Sequence, residues 1–213
     1  MGRLDPTRLR VYVVTTAAFA GRGHDDVAAA AIVGGATAIQ LRAPELGDAE
    51  LRRLAADLAG WCRNAGVLFI VNDRPDVAAD VDAGGAHVGQ ADDLRSARAE
   101  LGPDRILGIS VGGPDEAWAA GAAGADYLGV TVWATATKPD ADPIGLDGLA
   151  MVVGSTDLPV VGIGGIDASS AARVLERGAA GVAVVSAVAA AADVVAATKE
   201  LARAVQDTGE GGR

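Results

Sequence analysis

Short runs of β-branched and aliphatic residues alternate with longer Ala-rich stretches along the whole chain. The short runs predict strands near Val11–Val14, Ala38–Leu41, Leu68–Val71, Ala86–Val88, Ile106–Ser110, Tyr127–Val130, Val160–Ile163 and Gly181–Val185. Between them, apolar positions recur at helical spacing over Asp25–Gly34, Asp48–Ala65, Arg74–Val81, Asp92–Leu101, Pro114–Ala123, Leu146–Val153 and Ser169–Arg177, with a last helix from Ala189 to Val205. Eight βα units without a linker or composition shift fit a single (β/α)8 TIM barrel over residues 1–206. An open doubly wound sheet also alternates, but seldom in so many even units. Residues 207–213 read as a polar, Gly-rich tail.

A barrel of this kind carries its chemistry at the C-terminal ends of the strands. The polar residues of this chain gather there: Gln40 and Arg42, Asn72 and Asp73, Gln90 and Asp92, Ser110, Thr135 to Lys138, Gly164 and Gly165, and Ser186. Gln40 and Arg42 are two apart on a strand, so both project to one side. An inward arginine is costly without a partner, so at a barrel mouth Arg42 reads as an anion binder. The alternative is an arginine that snorkels or pairs with a core acid. Asp73 and Asp92 close consecutive strands, and neighbouring strands lie only ~4.8 Å apart. Either aspartate alone reads as a helix N-cap; as a pair they suit one hard cation with oxygen ligands, Mg2+. His87, within a strand, reads as a packed and hydrogen-bonded core histidine.

The Gly164–Gly165 pair after the seventh strand and Ser186 after the eighth fall where this fold commonly grips a phosphate. The alternative is a tight turn that needs glycine. Lysine occurs only at Lys138 and Lys199. The first lies in a long loop after the sixth strand, where an ammonium suits a phosphate oxygen.

The balance of 28 acidic against 18 basic residues gives a net charge of −10, which argues against nucleic acid or an anionic membrane as a partner. A phosphate ligand would therefore need local positive partners. Cys62 is the single cysteine, so no internal disulfide is expected, and it reads as a packed thiol. The apolar run from Ala179 to Ala192 is shorter than the ~20 residues of a membrane span. No secretory leader is visible, so a cytoplasmic setting is expected. No arrangement of nucleophile and base suggests a covalent intermediate. Two anion sites on one rim, one assisted by a metal, point to the joining of two phosphorylated small molecules with loss of pyrophosphate.

The motifs Gln40-Leu-Arg, Val71-Asn-Asp-Arg, His87-Val-Gly-Gln-Ala-Asp, Gly108-Ile-Ser, Thr135-Ala-Thr-Lys, Ile163-Gly-Gly-Ile and Val184-Val-Ser resemble, in order and over nearly the whole chain, those of the thiamine-phosphate synthase family. The resemblance implies condensation of a hydroxymethylpyrimidine diphosphate with a thiazole phosphate (in its carboxylated form) to give thiamine phosphate and pyrophosphate. It implies that Gln40, Leu41, Arg42, Ala43, Pro44, Asn72, Ser110 and Lys138 hold the pyrimidine diphosphate. Arg42, Ser110 and Lys138 would be the catalytic groups among them. Thr135, Ala136, Thr137, Gly164, Gly165, Val185 and Ser186 would hold the thiazole phosphate, and Asp73 and Asp92 would hold Mg2+. A homo-oligomer is compatible with it. Pro44 stands where the family usually has a lysine, and the segment Gly129-Val-Thr-Val-Trp133 is one residue short of the family's Gly-Pro-containing stretch. Two other readings share the barrel. One is a thiazole tautomerase-like isomerase, expected to carry a histidine after the sixth strand, where this chain has none. The other is a non-catalytic relative that binds thiazole or thiamine phosphate.

Overall fold

The computed structural model describes residues 4–16, 21–135 and 142–206. Eight parallel strands close into one barrel in chain order: β1 (Val11–Thr15), β2 (Ala38–Leu41), β3 (Leu68–Asn72), β4 (Gly85–Val88), β5 (Ile106–Ser110), β6 (Tyr127–Thr131), β7 (Val160–Ile163) and β8 (Gly181–Val184). Closure sets Val11 opposite Val182 and Tyr12 opposite Ala183. The outer ring is α1 (His24–Gly34), α2 (Asp48–Ala65), α3 (Pro75–Asp80), α4 (Leu94–Leu101), α5 (Pro114–Ala122), α6 (Gly145–Gly154), α7 (Ala171–Leu175), α8 (Ser186–Ala189) and α9 (Val194–Gln206). The expected (β/α)8 barrel is therefore the observed one.

Strand periodicity sorts the side chains into two shells. On β1, Val11 and Val13 face the layer between barrel and helices, whereas Tyr12 and Val14 face the lumen. On β2, Ile39 and Leu41 face outward to the helices. Leu9, Ala38, Leu68, Ile70, Val161 and Ala183 join the tyrosines in the lumen cluster. Cys62 is fully buried, and that burial pushes its thiol up to about 12. Among the described residues, no helix is long and apolar enough to cross a membrane.

The last helical stretch differs from expectation. The helix expected from Ala189 to Val205 starts only at Val194, as α9, and a separate short helix, α8, ends at Ala189. The Arg22 guanidinium donates to the carbonyls of Ala189, Ala191 and Ala192 at 3.3, 2.7 and 2.9 Å, satisfying the free end of α8. Asp193 then accepts the Ala196 amide at 3.0 Å and starts α9. A run of alanines carries no periodicity that would reveal the break. Likewise α4 starts at Leu94 because Asp93, not Asp92, is its N-cap, accepting from the amides of Arg95 and Ser96.

Candidate active site

A pocket opens at the C-terminal mouth of the barrel. Its floor contains the rings of Tyr12, Tyr127 and His87. Its walls carry Gln40 and Arg42 from β2 and its end, Asn72 from β3, Ser110 from β5 and Thr131 from β6. Thr135, Gly164, Gly165, Val185 and Ser186 complete it. The period-two alternation explains the selection: each strand offers the pocket its last inward residues.

The floor is tied together by hydrogen bonds. Gln40 Nε2 donates to the Tyr12 hydroxyl at 2.8 Å, and that hydroxyl lies 3.0 Å from the Tyr127 hydroxyl. Tyr127 is 3.0 Å from His87 Nδ1, and His87 Nε2 is 3.1 Å from Ser110 Oγ. Burial raises both phenols above their ordinary values, so they remain protonated. His87 is hydrogen-bonded, as its strand position suggested, but it faces the lumen and lines the pocket. Tyr12, Tyr127 and His87 were not among the expected site residues. The signal was their inward register: Tyr127 lies opposite Gly108, and His87 opposite both Asn72 and Gly108.

Arg42 follows β2 and lines the pocket, half-buried. Among the described residues it enters no ion pair, whereas Arg52, Arg74, Arg98, Arg105 and Arg177 all do. Its loop is fastened from behind: His24 Nε2 donates to Glu45 Oε1 at 2.7 Å, and His24 Nδ1 lies 2.9 Å from Thr15 Oγ1. Burial alone would raise the Glu45 carboxyl. The His24 hydrogen bond and the charges of His24 and Arg42 outweigh it and hold Glu45 below its ordinary value.

Neither aspartate of the expected pair caps a helix. Asp73 precedes Arg74, the residue that opens α3, and sits in the left-handed region at φ 56°. Its amide donates to the His87 carbonyl at 2.8 Å and its carboxylate accepts from Asn72 Nδ2 at 2.6 Å. Asp92 Oδ2 accepts the Gly89 amide at 2.6 Å within its own loop. Their parent strands β3 and β4 are hydrogen-bonded neighbours. The loop behind Asp73 is clamped by Arg74, which bonds Asp48 and Asp76, and by Arg52, which bonds Asp48, Asp76 and Asp80.

Among the described residues, no group of three or more His, Cys, Asp or Glu side chains could hold a metal. Two carboxylates without capping duty fit a cation that keeps most of its shell for water and ligand, as Mg2+ does. They do not fit a closed structural site.

The glycine pair serves the backbone. Gly164 and Gly165 have φ of +91° and +65°, and a β-carbon on Gly164 would stand 2.5 Å from the Trp133 carbonyl oxygen. The loops after β6 and β7 are thus drawn together, with Val132 N–H donating to Ile163 at 2.7 Å. Trp133 packs beside Gly165, and the Arg173 guanidinium lies 5.7 Å from its ring centroid.

Of the expected site residues, Gln40, Arg42, Asn72, Ser110, Thr135, Gly164, Gly165, Val185 and Ser186 line the pocket. Leu41 does not: it is 1% exposed and packs in the outer core, because it alternates with the two inward residues beside it. Ala43 is buried in that same core and Pro44 is exposed; neither lines the pocket. Asp73 and Asp92 lie at the rim, outside the lining. Ala136, Thr137, Lys138 and the tail 207–213 lie outside the described residues.

Comparison with known proteins adds to this geometry. A family described as thiamine monophosphate synthase matches residues 11–188. A thiamine-phosphate synthase of Moorella thermoacetica is 49% identical over 91% of this chain and 93% of its own length. One from Chloroflexus aurantiacus is 48% identical over 94% of both. Among solved structures, a thiamine phosphate pyrophosphorylase from Pyrococcus furiosus superposes with a TM-score of 0.89 at 40% identity, covering 95% of this chain and 98% of that one.

Proposed function

The chain belongs to the thiamine monophosphate synthase family, and from that premise we propose that it joins a hydroxymethylpyrimidine diphosphate to a thiazole phosphate, releasing pyrophosphate. The observation that carries the reading is the division of the pocket into two unlike walls. The wall on β2, β3 and β5 has side-chain donors, Gln40, Arg42, Asn72 and Ser110. The wall after β7 and β8 has backbone groups, Gly164, Gly165 and Ser186. Since β3 and β7 are four strands apart in an eight-stranded barrel, these walls face one another across the mouth. Two phosphorylated ligands can meet there head to head.

In this reading the C–O bond between the pyrimidine methylene and the diphosphate breaks first, with its electron pair leaving on the diphosphate. The thiazole nitrogen then gives its lone pair to the methylene carbon and forms the C–N bond. Arg42, which lines the pocket, stabilises charge growing on the leaving group. Lys138, three residues after Thr135 in the sequence, is assigned the same task. Ser110 and Gln40 hold the pyrimidine, and the backbone at Gly165 with Ser186 holds the thiazole phosphate. Asp73 and Asp92 would hold Mg2+, which when bound neutralises the diphosphate as it departs. Holding both partners in contact supplies the proximity term.

The test is product formation from the two phosphorylated precursors, with and without Mg2+, for the wild type and Asp92→Ala. Mg2+-dependent thiamine phosphate that is lost in the variant supports the assignment and the metal pair together. Thiazole phosphate binding with no product at any Mg2+ concentration would favour the non-catalytic relative instead.

A further inference from the structure

Five polar side chains cross the barrel lumen in one unbroken chain. The proposed chemistry uses only its ends, Gln40 and Ser110. The three between them, Tyr12, Tyr127 and His87, sit below the reacting groups. Their order has a direction, because a hydroxyl owns one proton. Gln40 Nε2 donates a hydrogen bond to the Tyr12 oxygen. Among the described residues the buried Tyr12 hydroxyl has only Tyr127 as a second partner, so its own proton is satisfied only when turned toward Tyr127. The Tyr127 proton is then turned toward His87 Nδ1. A neutral imidazole that accepts at Nδ1 carries its proton on Nε2, and that nitrogen faces Ser110 Oγ. Ser110 therefore accepts from the histidine, and its own proton is free to turn into the pocket.

The lumen is shaped for this ring. A β-carbon at Gly108 would stand 2.6 Å from His87 Nδ1, and one at Gly129 would stand 3.0 Å from His87 Cε1. The two glycines leave a slot between β5 and β6 in which the imidazole lies against Tyr127, with centroids 5.4 Å apart.

We propose that His87 is a positioning residue: it is held as the Nε2–H tautomer by the Gln40–Tyr12–Tyr127 chain and makes Ser110 a hydrogen-bond donor to an acceptor atom of the pyrimidine diphosphate. The tautomer stands on the lumen geometry alone; the consequence for turnover rests on the reading of Ser110 as a substrate contact.

Two measurements separate these parts. With only two histidines in the chain, 15N NMR of the ligand-free protein resolves His87, identified by its loss in His87→Gln. The expected spectrum has a protonated Nε2 and a bare Nδ1, and Tyr127→Phe abolishes this single form. A wild-type Nδ1–H tautomer overturns the proposal whatever the protein's activity. In turnover, His87→Asn, too short to reach Ser110, lowers kcat on the order of 10- to 100-fold with little change in either KM. His87→Gln, which restores a donor near the Nε2 position, recovers part of the loss. The double variant His87→Asn/Ser110→Ala is no slower than Ser110→Ala alone. Losses that multiply in the double variant, with the wild-type tautomer as expected, overturn the role of His87 in turnover and leave the proton order intact.

Discussion

Gly108 lies opposite Tyr127 across the β5–β6 pairing, and a β-carbon at Gly108 would fall on the tyrosine ring. The ring is almost fully buried and hydrogen-bonded on both sides of its hydroxyl, to Tyr12 and to His87, so it has nowhere to move. Gly108→Ala is therefore expected to destabilise the barrel by about 1–3 kcal/mol, the range for overpacking. The same substitution at Gly60, in the middle of α2 with open space around it, should stabilise by about 0.5–1 kcal/mol. Urea denaturation of the two variants checks the pair, and equal shifts would disprove the packing argument.

Leu41 and Arg42 are adjacent in sequence and serve opposite shells of the barrel. Leu41 is buried against the helices, whereas Arg42 lines the pocket. Leu41→Ala should cost about 2–5 kcal/mol of stability as a core truncation while leaving the KM for the pyrimidine diphosphate unchanged in the folded fraction. Arg42→Ala should do the reverse, raising that KM at nearly constant stability. Lysine at 42 should restore only part of the binding, since it lacks the planar fork that matches a phosphate. Steady-state kinetics beside thermal melts separates the two; a KM effect from Leu41→Ala would contradict the observed register.

The clamp behind Asp73 has a pH signature. The Arg74 guanidinium, with help from Arg52, holds Asp76 at about 2 against the contrary pull of burial. A carboxyl depressed in the folded state contributes stability that is present above its unfolded value and lost as pH falls through the folded one. The Asp76 contribution should thus be full above pH 4 and fade between about 4 and 2. Since its side chain is 38% exposed, solvent screening keeps the effect near 1 kcal/mol or less. Asp76→Asn should melt below the wild type at pH 7 and converge with it toward pH 2. A gap that persists at pH 2 would remove the ion pair as its cause.

The barrel was legible because short apolar runs recur between Ala-rich helical stretches and the βα units repeat without a break. Gln40, Arg42, Asn72 and Ser110 were legible because a polar residue at the top of an apolar strand is costly unless it does something. Tyr12 and Tyr127 escaped notice, and His87 reads only as a core histidine, because an aromatic inside an apolar run looks like ordinary core. Only the closed barrel shows that their inward faces meet beneath the pocket. Leu41 was carried along as a neighbour of two site residues, and strand alternation alone would have set it apart. Taken alone Asp92 reads as a cap, and beside Asp73 as a metal ligand; the cap belongs to Asp93, one residue later, which takes the amides of Arg95 and Ser96.

Gly165 offers the sharpest test of the two-walled pocket. Its φ of +65° is strained for any residue with a β-carbon, and that atom would stand 3.1 Å from Trp133 Cβ. Alanine there shifts the turn after β7 by a few tenths of an ångström, on the wall assigned to the thiazole phosphate. The expected outcome is a KM for thiazole phosphate about tenfold higher, equivalent to ~1.4 kcal/mol, with the KM for the pyrimidine diphosphate unchanged. Gly164→Ala is not an equivalent probe, because its β-carbon would meet the Trp133 carbonyl and distort the whole β6–β7 junction. If Gly165→Ala instead weakens the pyrimidine diphosphate, or both substrates alike, the assignment of the two walls is wrong.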